Sequence, residues 1–214
     1  MFDWGFKDGP PDKRPDTKGE KTFVWILVAI FGAMILAAIF SDFEPRKLSI
    51  IFFLVSWPIL LIIHEFGHAL MAKWLGWEVL MMAIGSGKVR ATKTIFGMKV
   101  EFRTIPLSGF ARTRAADLIQ PQMKNFLIYA AGPGIEIAAV LLLAIALGKN
   151  EMLSQSDHIG IIAAQSFSAA ALLGAIINLI PFPHHTEHGM AWSDGLGMIM
   201  SWRLPDSYFA QQIR

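Results

Sequence analysis

The chain has 214 residues, 54% of them hydrophobic and 17% charged, with a mean hydropathy of +0.46, which is too apolar for a soluble domain of this size. It contains no cysteine, which excludes disulfides, thiolate metal sites and cysteine nucleophiles, so any metal must be held by His, Asp or Glu. The formal charge of +2, with its basic residues spread through loops, offers no footprint for nucleic acid.

Residues 1–21 mix Pro, Gly, Asp and Lys without periodicity and read as a disordered cytosolic tail. Residues 22–214 then read as one membrane-embedded domain. Four stretches reach the roughly 20 apolar residues that a helix needs to cross a bilayer: Phe23 to Phe40, Leu48 to about Ala72, Asn125 to Leu147, and Ile159 to Ile180. The first carries no charge, and bulky Ile39 and Phe40 before Ser41 fit a retained anchor better than a signal-peptide cleavage site. The second carries Glu65 and the third Glu136; the fourth is uncharged. Between the second and third spans, at about 79–110, Val100, Phe102 and Thr104 alternate with Lys99, Glu101 and Arg103, the period of a half-buried strand. With Gly85, Gly87 and Gly97 as turn points, two or three short strands are expected there. The expected fold is therefore an all-α polytopic membrane protein, a four-span helical bundle with a small cytosolic β-hairpin region.

Sixteen Lys and Arg lie in the N-terminal tail, the long loop and the C-terminal segment, against three in the two opposite loops. The positive-inside rule then puts both termini and the long loop in the cytosol. The expectation is an integral protein of a bacterial cytoplasmic membrane, with the lipid bilayer as its surroundings.

The chemistry begins in the second span. His64, Glu65, Phe66, Gly67 and His68 spell H-E-x-x-H. On a helix, residues four apart share a face, so both imidazoles can reach one Zn²⁺ while Glu65 lies beside the water to be activated. Sixteen helical steps from Leu48 place His64 about 24 Å into a core of about 30 Å, and eighteen from Gly160 place Asn178 at about 27 Å from the same face. The two segments thus deliver polar residues to a common depth. After Asn178 the chain reads NLIPFPHHTEHGMAWSDG, in which Pro181 and Pro183 end the helix and free a loop that can line a polar cavity. Asp194 is the best candidate there for a third ligand, although spacing alone does not separate it from Glu187 or the neighbouring histidines. His184, Glu187 and His188 also match the inverted H-x-x-E-H motif, but the prolines upstream and Gly189 after leave too little room for the helix it needs.

HEFGH, the later NLIPFP followed by Asp194 and Gly195, the small-residue stretch AAGPGIEIA and the preceding PLSGF together resemble the site-2 protease family of intramembrane zinc metalloproteases, over roughly residues 50–200. The resemblance implies Zn²⁺ as cofactor, His64, His68 and Asp194 as ligands, Glu65 as catalytic base and Asn178 as an active-site polar group. It implies a transmembrane segment of another membrane protein as substrate, held beside a membrane-associated β-hairpin. Two features differ from the usual pattern. Asp194 follows Asn178 by sixteen positions instead of about eight, and Glu136 stands where the family commonly has Asn. For Glu136, hydrogen bonding between helices competes with a role in gating or proton delivery. Gly132 and Gly134 read as packing residues. Two other functions remain to be weighed: a catalytically inactive scaffold of the same family, and a membrane metal-binding or transport protein, which would carry polar residues through the midplane of several spans.

Overall fold

The computed structural model describes residues 18–186 and 189–213. The expected tail falls largely outside this range, as do Glu187 and His188. Helix α1 (Lys18–Phe40) already begins at Lys18 and is followed by a single 3₁₀ turn at Pro45–Leu48. Then come α2 (Ser49–Trp74), strands β1 (Glu78–Ile95) and β2 (Met98–Arg114), α3 (Pro121–Leu147), the short α4 (Lys149–Leu153) and α5 (Ile159–Leu179). A second hairpin, β3 (Pro183–Thr186) and β4 (Gly189–Trp192), leads into α6 (Asp194–Ser201) and α7 (Asp206–Ala210).

Three helical segments are long and apolar enough to cross a membrane: Pro45–Trp74, Pro121–Leu147 and Ile159–Leu179. Of the apolar part of α1, the described side chains cover Trp25–Phe40, so among the described residues there are three candidate spans where four were expected. Helices α2, α3 and α5 pack on one another, with Leu60, Ala170 and Ala171 at the centre of their contact and Phe53, Val140 and Phe167 around it. Small residues set the spacing. A side chain at Gly67 would strike the Ala131 carbonyl at 2.7 Å, so this glycine lets α2 and α3 approach closely. Outward-facing side chains on these helices are apolar, as lipid contact requires.

The β region differs from the expected set of short strands. It is two long antiparallel strands joined by a two-residue turn at Phe96 and Gly97, both with positive φ. Gly85 and Gly87 also have positive φ, but they lie inside β1 and are not turns. They interrupt the register, and the two strands fold back on themselves. Met82, Ala83 and Ile84 are consequently paired on both sides, with Ala111, Phe110 and Gly109 on one and with Val100, Glu101 and Phe102 on the other. Alternation alone cannot reveal such a bend, because the bulges shift register without changing the local period. The inner face, Met82, Ile84, Met98 and Val100, is sealed against Ala69 and Phe66 of α2. The turn is tied down by Lys73 Nζ, which donates to the Phe96 carbonyl, and by the Phe96 ring set edge-on to Phe66. Hydrogen bonds from Lys99 and Arg103 hold the Glu101 carboxyl below the ordinary carboxylate range. The outer edge, Lys88 to Thr94, is exposed and charged, whereas Pro106, Leu107 and Ser108 at the opposite bend are exposed, uncharged and without ladder partners among the described residues.

Candidate metal centre

His64 and His68 sit one turn apart on the inward face of α2, 6% and 7% exposed. Their Nε2 atoms point at each other across 3.1 Å. A backbone carbonyl can only accept, so the 2.6 Å contact between His68 Nδ1 and the Ile128 oxygen fixes the proton of that ring on Nδ1. In the neutral ring the lone pair of His68 is then on Nε2, turned inward. Asp194 completes the cluster: one carboxylate oxygen lies 3.0 Å from His64 Nε2 and the other 3.3 Å from His68 Nε2. Electron-rich atoms from three residues thus converge in a buried space, an arrangement that favours a cation between them. The spacing suits zinc, since tetrahedral ligands about 2.0 to 2.1 Å from the metal lie about 3.3 Å from one another. Two neutral imidazoles and a carboxylate also form a donor set that leaves the fourth position of a catalytic zinc open. Gly132 of α3 makes the room. A Cβ there would collide with both imidazoles, 2.7 Å from His64 Nε2 and closer still to His68 Nε2.

Asp194 arrives by a different route. Helix α5 ends at Leu179, and the long offset from Asn178 is taken up by the β3–β4 hairpin, in which Pro183 pairs with Trp192. The excursion leaves and returns at the same point. Ser193 locks that point: its hydroxyl donates to the Ile180 carbonyl at 2.7 Å and accepts from the backbone N–H of Phe182 at 3.0 Å and of Leu196 at 3.3 Å. The last of these is an N-cap, so α6 begins at Asp194 itself. Gly195 lies against the Leu179 carbonyl and Gly197 against the Tyr129 ring, contacts that no side chain at either position would permit. At the far end, Asn125 Nδ2 donates to Ser201 Oγ at 2.9 Å and ties α6 to α3.

Glu65 is 5% exposed and faces the sheet. Its carboxylate packs on Gly109 of β2, where a Cβ would fall 2.8 Å from both Glu65 Oε1 and the Ala83 carbonyl. The unpaired bend at Pro106–Ser108 is next to this contact. Asn178 is half-buried one residue before the end of α5, and no hydrogen bond joins it to His64, Glu65, His68 or Asp194 among the described residues. His184 and His185 belong to β3 and not to the helix that H-x-x-E-H requires. Glu136 is 3% exposed, its Oε2 lying 3.3 Å from His64 Nδ1.

The sequence reading missed three contributors. Gly132 acts on the imidazoles and not only on helix packing, whereas a Cβ added at Gly134 beside it would meet nothing within 4 Å. Gly109 was visible only as part of PLSGF. Ser193 had a local signal, a Ser directly before an acidic first turn, which marks a helix start.

Residues 52–177 match peptidase family M50. A putative zinc metalloprotease of Campylobacter jejuni, Cj1068, is 28% identical over 121 residues, covering 50% of this chain. The aligned part spans about a third of that relative's length, 33%.

Proposed function

This chain belongs to peptidase family M50, and we propose that it is an intramembrane zinc metalloprotease hydrolysing peptide bonds in transmembrane or membrane-proximal segments of other membrane proteins. The observation that carries the proposal is the convergence of His64 Nε2, His68 Nε2 and the Asp194 carboxylate within one buried space, with Glu65 next in sequence to the first ligand. These three would hold the metal. Bound there, zinc supplies Lewis acidity that polarises a carbonyl and makes water nucleophilic near neutral pH. Glu65 takes the proton from the attacking water and, once the C–N bond breaks, returns it to the leaving amine.

The sheet gives the substrate a place. A helical segment hides its carbonyls, so it must unwind before cleavage, and an unpaired, uncharged strand bend beside Glu65 offers partners to extended backbone. Pro106, Leu107 and Ser108 suit that role in being exposed and unpaired. Asn178, next to the Leu179–Gly195 contact, would hydrogen-bond the unwound chain from the other side. Helix α1, 23 residues or about 35 Å long, would add a fourth span. The excess of Lys and Arg then sets both termini and the β1–β2 hairpin on the cytosolic side. Because the chain lacks cysteine, single cysteines introduced near Lys93 and near Ser154 would test this: the first should label from the cytosol and the second from the opposite side. The reverse pattern would invert the topology.

The function itself is tested with purified full-length protein and a model transmembrane peptide. Wild type should bind zinc and cleave. Glu65→Gln should bind zinc equally and lose about 10² to 10⁴-fold in rate, the range for a general acid–base group. Zinc loss in Glu65→Gln would move this residue into the ligand set and undo the assignment.

A further inference from the structure

A carboxyl group in the middle of a membrane-spanning helix is costly unless it meets a partner. Glu136 of α3 is such a group, 3% exposed. Its Oε2 lies 3.3 Å from His64 Nδ1, and both atoms are buried with no hydrogen-bond partner among the described residues. On its other side is Gly174 of α5, where an added Cβ would fall 3.4 Å from Glu136 Oε1, so this position leaves space beside the carboxylate and has no polar side chain to offer it. The two helices leave the carboxylate facing His64.

The ridge of α3 that faces the metal centre has a regular construction. Ile128, Gly132 and Glu136 are four residues apart and so share a face. The Ile128 carbonyl accepts from His68 Nδ1, Gly132 leaves the gap into which both Nε2 atoms project, and Glu136 meets His64 Nδ1. Each imidazole is thus flanked on its outer nitrogen by an acceptor from α3, a carbonyl for one and a carboxylate for the other. Resting on the reading of His64 as a zinc ligand, we propose that Glu136 is a positioning residue: it accepts the His64 Nδ1–H and holds that ring with Nε2 turned to the metal. Partners of this kind set the tautomer and orientation of a ligating histidine, and their loss typically weakens metal binding by about 10 to 100-fold.

The test is zinc affinity, measured by competition with a chromophoric chelator on the full chain in detergent micelles. Glu136→Leu should bind zinc about 10 to 100-fold more weakly. The thermal stability of the zinc-free protein should hold or rise, because a carboxyl has been taken out of hydrocarbon. Glu136→Gln keeps a side-chain oxygen to accept the Nδ1–H and should recover most of the affinity. Wild-type affinity in Glu136→Leu, or an affinity in Glu136→Gln as low as in Glu136→Leu, would overturn the proposal and leave the zinc site standing. A wild-type protein that takes up no zinc would remove the metal centre, and this inference with it.

Discussion

The two halves of the candidate metal centre are built in opposite ways. The α2 half is a rigid spacing device, with His64 and His68 one helical turn apart and Gly132 of the neighbouring span cut back to admit both rings. The α6 half is a return device, in which the chain leaves α5, makes the β3–β4 hairpin and comes back within hydrogen-bonding distance of where it left. The first half tolerates no change in spacing. The second tolerates a long excursion, because hairpin closure and the Ser193 contacts, not the number of intervening residues, decide where Asp194 begins its helix. Loop length costs little free energy when the ends stay together.

If the α2 half depends on space, a single methyl group should separate its parts. Gly132→Ala puts a Cβ into both imidazoles and should reduce zinc occupancy severely, although alanine is the better helix former by about 1 kcal/mol. Gly109→Ala presses instead on Glu65 and the Ala83 carbonyl, and should lower turnover while zinc stays bound. Metal analysis and peptide cleavage on the same two preparations distinguish the cases. Equal zinc loss in both would mean that the base and the ligands are not spatially separate. The return device should show smaller effects. Ser193→Ala removes the N-cap of α6 and should cost about 1 kcal/mol, read as a lower Tm with zinc still taken up at saturating concentrations. A variant as stable as wild type would show that the hairpin holds Asp194 without the serine.

The same contrast explains what was legible in the sequence. His64, Glu65 and His68 were readable because helical spacing is local and the spans are long runs of mostly apolar residues. Asp194 was only a best candidate among several side chains, since which residue returns to the site depends on the pairing of Pro183 with Trp192, a property of the closed hairpin. The β1–β2 region was recognised as strand from its alternation, but its fold-back was not, because Gly85 and Gly87 mark bulges with the same residue type that marks turns. Glu136 stood out as a charge in a span. Its partner could not be read, since His64 lies on another helix 72 positions earlier.

Zinc content per chain decides which residue completes the metal centre. Three full-length proteins are needed: wild type, Asp194→Ala, and the triple replacement His184→Ala, His185→Ala and His188→Ala. One zinc in wild type and in the triple variant, with a substoichiometric amount in Asp194→Ala, is the predicted result. Zinc retained by Asp194→Ala and lost from the triple variant would contradict the account, because the hairpin would then supply the ligand instead of delivering it.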